Sequence, residues 1–341
     1  MPRSGKPGPL RRAGTGPGSG HPPRRAGRDG DPGTLELFPV PPFDFDLSAS
    51  IFSGGDSEIR SYAEGAFRQL LRVRGRLVLV TVMSDGTVDR PGILVRAEPA
   101  PIGTGLLEAA GEEVARLFNL DLDLSLFERA VESDPVMAAL AGRLRGLKPP
   151  RTATLFEALL DSIIEQQISL SAAHSIERRF TRRFGDTLQA GEVTWYAFPT
   201  PERLAEASTA ELRECGLSQK KAEYITGIAR QVQDRRLDLE HHGTREETGE
   251  LIKELSTLRG VGVWTAELAL LRGLSRLDAI PADDLGIRRA ITSYYSRESR
   301  IGTAEARRIA EAWGPWRGLA AYYLLVAERR GIDIPPQGPL K

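Results

Sequence analysis

The sequence predicts a mainly α protein with a small α+β domain on its N-terminal side. Three observations carry that prediction. From about residue 121 to 330, apolar residues recur at helical spacing, with short breaks containing Gly, Pro or Ser. Strand-like runs are confined to the region before residue 100. Residues 1–34 hold nine Gly and seven Pro and almost nothing apolar, too little to offset the entropy of ordering. The expected organisation is a disordered basic tail (1–35), an α/β domain (36–121) and an all-helical body (122–336).

The tail carries seven basic groups against two acidic ones, a net +5. It has no hydrophobic segment of the kind a secretory signal needs. Two readings stay open for it, a non-specific phosphate-binding arm or an idle leader. In the next domain, Arg76–Met83 (RLVLVTVM) is apolar and β-branched, and Ser84–Thr87 supplies a turn. Residues 91–95 offer a further strand. Helices are expected over 57–71 and 105–118. In the body, periodic segments fall at 123–146, 154–184, 201–214, 219–236, 247–257, 263–273, 284–296, 303–312 and 317–330.

Composition excludes several classes. No apolar run is long enough to cross a membrane. A single cysteine, Cys215, rules out an internal disulfide, a four-cysteine cluster and a Cys2His2 zinc site. His21, His174, His241 and His242 show no metal-ligand spacing. The 46 basic and 46 acidic residues cancel, and residues 35–341 alone sum to −5. Any case for a nucleic-acid partner therefore rests on local features.

Two stretches carry such features. In Leu258–Ala266 (LRGVGVWTA) a helix runs into a Gly-x-Gly turn and a second helix starts at once. The glycines permit torsions closed to other residues. Free N–H groups at the second helix's start form a phosphate-binding hairpin that needs no base contact. A tight helix–helix connection is the plainer alternative. Downstream, Pro281–Arg289 (PADDLGIRR) sets two acids at a helix start. Asp283 is expected as the N-cap and Asp284 in the first turn. Either both serve the helix or one is a catalytic carboxylate.

Together these stretches resemble the helix-hairpin-helix DNA glycosylase superfamily, and within it the DNA-3-methyladenine glycosylase II branch, which acts on alkylated bases. Phe156–Ala173 (FEALLDSIIEQQISLSAA), Pro201–Gly227 and Pro41–Ile51 resemble further segments of that branch. The likeness spans about residues 36–330.

The resemblance implies a helix-hairpin-helix glycosylase fold with its hairpin at 250–272. It implies Asp284 as the catalytic carboxylate, since Leu285-Gly286-Ile287-Arg288 follow it in the family's pattern. Cleaving an N-glycosidic bond leaves positive charge on the sugar, which a carboxylate on its far face stabilises. Where bifunctional relatives carry a nucleophilic lysine this chain has Trp264. An indole cannot form a Schiff base, so a monofunctional enzyme without abasic-site lyase activity is expected.

By the same resemblance, Trp264, Leu268, Leu285, Tyr322 and Leu325 line the base pocket, with Tyr323 close by. Three of those positions hold leucine where relatives carry aromatics. Gln167 is the expected wedge, next to Gln166, with Gly260, Val261, Gly262, Thr265 and Arg288 also facing DNA. Arg178, Arg179, Arg182, Arg183, Lys220, Lys221 and Arg259 belong to solvated helix faces or reach phosphates. No cofactor is required. Carbonyls of Ser256, Leu258 and Val261 would hold a structural sodium or potassium ion.

The partner is double-stranded DNA with damaged bases, handled by a monomer away from membranes, in the cytoplasm or at the nucleoid of a bacterium. The alternatives are a non-catalytic damage-binding protein, an oxidised-base glycosylase and a helical interaction scaffold.

Overall fold

The computed structural model describes residues 24–26, 33–54, 56–239, 247–296 and 300–334. The rest of the expected tail, His21, His241, His242 and residues 335–341 lie outside the described residues.

Strands β1 (Arg24–Ala26), β2 (Thr34–Leu37), β3 (Arg60–Ala63), β4 (Ala66–Val73), β5 (Arg76–Ser84) and β6 (Ile93–Glu98) form one antiparallel sheet. Its order is β1-β2-β6-β5-β4-β3. A short helix, α1 (Phe45–Ala49), precedes β3, and α2 (Thr104–Leu117) lies across one face. Phe67, Leu71, Val80, Val82 and Val95 pack there with Ala110, Val114 and Phe118. Both faces of the central strands are covered, so β5 reads as a near-continuous apolar run.

Three expectations are corrected here. Residues 57–71 are not helical. Glu64 and Gly65 both take positive φ and turn β3 into β4. The apolar spacing that mimics a helix comes from Leu70 and Leu71 facing opposite sides of the sheet. The tail is not wholly unstructured, since Arg24–Ala26 pairs with Leu35–Leu37. Backbone pairing asks nothing of side-chain hydrophobicity, which is all the composition weighs. The body is not all helical, because β7 (Thr187–Ala190) and β8 (Val193–Tyr196) form a hairpin. That hairpin sets Trp195 against Leu70 and Leu79 on the sheet's other face.

The helices α3 (Leu124–Ala130), α4 (Pro135–Arg143), α5 (Leu155–Glu165), α6 (Leu170–Phe184), α7 (Pro201–Glu206), α8 (Thr209–Glu214) and α9 (Gln219–Gln233) follow. Then come α10 (Thr248–Leu255), α11 (Val263–Leu274), α12 (Leu285–Tyr295), α13 (Thr303–Ala310) and α14 (Arg317–Arg329). Side-chain N-caps explain many starts, with Asp134, Thr154, Ser169, Thr200 and Ser218 each accepting from the first turn. Such a cap contributes about 1 kcal/mol.

The helices build two lobes with separate cores. Leu159, Ile163, Phe180, Leu212, Ile225, Ala266 and Leu270 centre the first, built from α5–α11. Phe127, Leu140, Ile291, Trp313 and Leu324 centre the second, which joins α3 and α4 to α12–α14. Asp134 pins the second lobe, capping α4 while its Oδ2 accepts from Tyr295 Oη at 2.7 Å and Trp313 Nε1 at 3.0 Å. Helix α11 belongs to both lobes. Ala266, Ala269 and Leu270 face the first core, while Trp264 and Glu267 reach residues of the second.

Lys148 fastens the lobes to the sheet domain. Fully buried, its Nζ donates to the Val40 and Leu120 carbonyls at 2.8 and 3.1 Å. Burial lowers its pKa to about 7, with Asp121 and Asp123 opposing. In the unfolded chain it titrates near 10.4. Between those values the unfolded state binds one more proton, so this lysine makes stability rise with pH by about 1.4 kcal/mol per unit. Lys148→Met is expected to lose that slope. Denaturant unfolding of both proteins between pH 7.5 and 9.5 checks it, and equal slopes would show a charged Lys148 in the fold.

Candidate active site

Helices α10 and α11 meet at Ser256–Gly262. Gly260 sits at φ +90°, and a Cβ there would come within 2.1 Å of the Tyr224 ring. The ring lies flush on the turn for that reason, and the Arg259 guanidinium stands 5.6 Å from its centroid. Gly262 caps α11 with no side chain, and space around it is open. The first-turn amides of α11 are therefore accessible to an anion. Within the turn, Ser256 Oγ is buried without a hydrogen-bond partner, and the Leu258 carbonyl accepts the Val261 N–H at 3.0 Å. An unsatisfied hydroxyl beside turn carbonyls is a donor set that fits a monovalent cation.

Asp284, not Asp283, is the N-cap of α12. Its Oδ1 accepts from the Gly286 and Ile287 amides at 2.8 and 3.0 Å. The expected order is corrected because Asp283 is taken by a distant partner, the Thr303 hydroxyl, at 2.6 Å. One carboxylate is thus both cap and candidate catalyst. Its Oδ2 meets Trp264 Nε1 at 3.3 Å, longer than a good N–H···O bond, so that oxygen stays available to the cleft. Gly286 is bare because a Cβ would crowd Asp284 Oδ1 at 3.0 Å and Leu325 at 3.3 Å.

Most of the residues expected in the pocket lie on α11 and α14, helices where the two lobes meet. Trp264 and Leu268 follow one another along α11, and Leu268 is buried yet belongs to neither core. Leu325 and Tyr322 approach from α14. Leu285 is 76% exposed and stands at the mouth. Tyr323 is corrected out of the pocket, since it lies in the second core with its hydroxyl donating to the Leu147 carbonyl at 2.8 Å.

Charged groups not predicted from the sequence lie along α5, which packs against α11. Glu157, Asp161 and Glu165 follow at four-residue steps on α5, on one face of that helix. Arg60 of β3 meets Glu157 at 3.2 Å, and Arg272 of α11 meets Glu165 at 2.6 Å. Burial, then Glu177 and Glu157, hold the Asp161 carboxyl well above the usual range, and its Oδ1 is buried without a partner. Burial works against the Arg272 charge, but Glu165, Asp161 and Asp284 outweigh it and raise its pKa. Burial raises the Tyr322 phenol, with Arg329 and Arg272 opposing. Acids at i, i+4 and i+8 in an otherwise apolar helix were the available signal.

Across the lobes, Arg307 of α13 binds Glu267 of α11 through both guanidinium arms, at 2.8 and 3.0 Å. Burial raises the Glu267 carboxyl and Arg307 draws it back.

Of the residues expected to face DNA, Gln167 is exposed at φ +57°, at the tip of the loop between α5 and α6. Gln166 turns inward, its amide donating to the Gly260 carbonyl and the Thr265 hydroxyl at 2.9 and 3.0 Å. Thr265 itself is buried. Lys221 donates to the Ile164 and Gln166 carbonyls, closing the end of α5, and its burial lowers its pKa. Val261 is buried, and Arg288 keeps a buried Nε without a partner.

Arg179, Arg182, Arg183 and Arg259 are engaged by Cys215, Asp56, Glu214 and Glu223. Burial pushes the Cys215 thiol up, which suits an inert core residue. A surface cavity beside α6, lined in part by Phe52, Arg60, His174 and Glu177, holds none of the pocket residues.

Two substitutions test this framework. Gly260→Ala is expected to displace Tyr224, lowering stability by about 2 kcal/mol and loosening the hairpin, read as thermal unfolding beside duplex-DNA affinity. Arg307→Ala strands the Glu267 charge. The loss should be about 2 kcal/mol, below the 3–5 of a fully buried pair because Arg307 is part-exposed. Denaturant titration reads that loss.

Residues 160–315 match the model of the HhH-GPD superfamily base excision DNA repair protein family. A DNA-3-methyladenine glycosylase of Bacillus subtilis (strain 168) is 32% identical over 207 residues, 61% of this chain and 68% of the relative. DNA-3-methyladenine glycosylase 2 of Escherichia coli (strain K12) is 26% identical over 289 residues, 84% of this chain and 95% of the relative. The solved 3-methyladenine DNA glycosylase of Archaeoglobus fulgidus superposes with a TM-score of 0.76 at 26% identity, over 88% of this chain and 99% of that one. With the hairpin and the Asp284 cleft in place, the chain belongs to the HhH-GPD superfamily of base excision DNA repair proteins, in its DNA-3-methyladenine glycosylase branch.

Proposed function

We propose that this protein is a monofunctional DNA glycosylase that removes alkylated purines, of the 3-methyladenine and 7-methylguanine type, from double-stranded DNA in base excision repair. The observation that carries the reading is Asp284, held as a helix cap with Oδ2 turned to the cleft beside Trp264. Relatives named for 3-methyladenine removal support the substrate class.

The hairpin amides at Gly262–Thr265 grip one backbone phosphate without reading sequence. The target nucleotide leaves the stack and enters the cleft, and Gln167 fills the gap it leaves. As the C1′–N bond breaks, electrons leave with the base and positive charge develops on the sugar. Asp284 Oδ2 faces that charge and orients the attacking water. An alkylated purine is already cationic, so its departure asks little of a general acid. Carbonyls of Ser256, Leu258 and Val261 would hold a monovalent cation, which when bound supplies positive charge beside the phosphate. The protein acts as a monomer at the DNA, in the cytoplasm or at a bacterial nucleoid.

Trp264 stands where a lyase would need an amine, so the product is an abasic site in an unbroken strand. The test is methylated duplex DNA with wild type beside Asp284→Asn, products read before and after alkali. Asp284→Asn should lower the rate by about 10²–10³-fold with DNA affinity nearly unchanged. Strand breaks should follow alkali only. Equal rates in both proteins would remove Asp284 from the chemistry, and breaks without alkali would refute the monofunctional reading.

A further inference from the structure

The start of α12 offers its first-turn amides two neighbouring carboxylates, Asp283 and Asp284, and only one of them can cap. The two side chains are chemically identical, so capping preference does not choose between them. Nor is the backbone far from the other choice. Asp284 stands at φ −65° and ψ 128°. Its φ is already helical, so a rotation about ψ would make Asp284 the first residue of the helix and pass the cap to Asp283. The helix would lose little, since Ile287, Ala290 and Ile291 would stay in the second core. The site would lose its carboxylate, because the Gly286 and Ile287 amides are what aim Oδ2 beside Trp264 Nε1.

What separates the two registers lies on α13. Thr303 Oγ1 donates to Asp283 Oδ1 at 2.6 Å, which engages the competing carboxylate away from the α12 amides. Thr303 is the first residue of α13, whose glycine cap, Gly302, makes no side-chain bond. Its hydroxyl thus serves the turn before α12 rather than its own helix. Helix α13 is a firm base for that contact, with Ala306, Ile309 and Ala310 buried in the second core. Arg307 lies one turn on from Thr303, on the same face. It binds Glu267 through both arms and reaches the Ile280 carbonyl at 3.4 Å. That carbonyl directly precedes the turn that the Asp284 N–H closes on the Pro281 carbonyl at 2.9 Å. One helix therefore holds the turn at Ile280 and at Asp283, and also holds α11, which carries Trp264.

Resting on the glycosylase reading, we propose that Thr303 is a positioning residue for catalysis. It occupies Asp283, and Asp284 thereby stays the cap with Oδ2 turned to the substrate. A hydrogen bond to a carboxylate shifts a choice of this kind by about tenfold or more. Thr303 acts only through Asp283, so removing Asp283 as well removes the competitor and the need for the restraint.

The experiment measures single-turnover release of methylpurine from methylated duplex at saturating protein, with duplex affinity alongside. The proteins are wild type, Thr303→Ser, Thr303→Val and the double variant Thr303→Val with Asp283→Ala. Thr303→Ser keeps the hydroxyl and should keep the wild-type rate. Thr303→Val keeps the shape but not the donor, and should release base about tenfold more slowly with affinity unchanged. The double variant should recover the wild-type rate, a rescue that no general loosening of α13 would give. A wild-type rate in Thr303→Val, or a loss that Asp283→Ala does not restore, overturns the assignment and leaves the glycosylase reading standing. A wild-type protein that releases no methylpurine overturns the glycosylase reading and this assignment with it.

Discussion

Asp284 spends one carboxylate oxygen on two backbone amides and leaves the other beside an indole 3.3 Å away. A carboxylate on an unstrained surface turn would sample several rotamers. Two amide bonds remove that freedom and aim Oδ2 without further groups. The cap holds only while α12 is fixed, and Ile287, Ala290 and Ile291 fix it in the second core. Trp264 belongs to the first lobe's helix, so the lobes must keep one separation for indole and carboxylate to meet. The two-armed Arg307–Glu267 pair and the Gly318 amide on the Leu277 carbonyl set that separation. The chemistry of one side chain thus dictates how two cores sit against each other.

The α5 acids work in the opposite energetic direction. Apolar side chains at Glu157, Asp161 and Glu165 would cost less to bury, since ion pairs rarely recover their desolvation. What the charges supply is register. Arg60 brings the sheet domain to one end of the row, Glu177 brings α6 to the same end, and Arg272 brings α11 to the other. Burial, then Glu177 and Glu157, push the Asp161 carboxyl well above its usual range, so a row of close acids works against its own ionisation. The sheet domain is therefore keyed through α5 to α11, the helix that carries Trp264.

Much of the site was legible because its constraints are short-range. A Gly-x-Gly turn between helices and an acid at a helix start are local torsional and capping requirements, and the chain shows both within forty residues. What was misread depended on distant partners. Which of Asp283 and Asp284 caps α12 is decided by Thr303, twenty residues on. The helix expected over 57–71 fails because two adjacent leucines serve opposite faces of a sheet, a distinction made by α2 on one side and Trp195 on the other. Strand β1 escapes composition because its bonds are backbone bonds. The α5 acids were visible as spacing, but Arg272 lies 107 residues from Glu165, and no local pattern joins them.

The same geometry explains how a chain whose residues 35–341 sum to −5 can suit DNA. Most of its basic groups near the cleft are engaged by acids or carbonyls of the protein itself. Gln166 ties the α5–α6 loop to the Gly260 carbonyl, and Lys221 closes α5 from below by bonding Ile164 and Gln166. The hairpin amides and the Gln167 tip are thereby held at a set spacing before any partner arrives. Ordering costs met during folding are not charged again on binding. Oriented amides and a loop tip already at φ +57° then replace bulk positive charge as the source of grip, because few contacts suffice when none has to be organised.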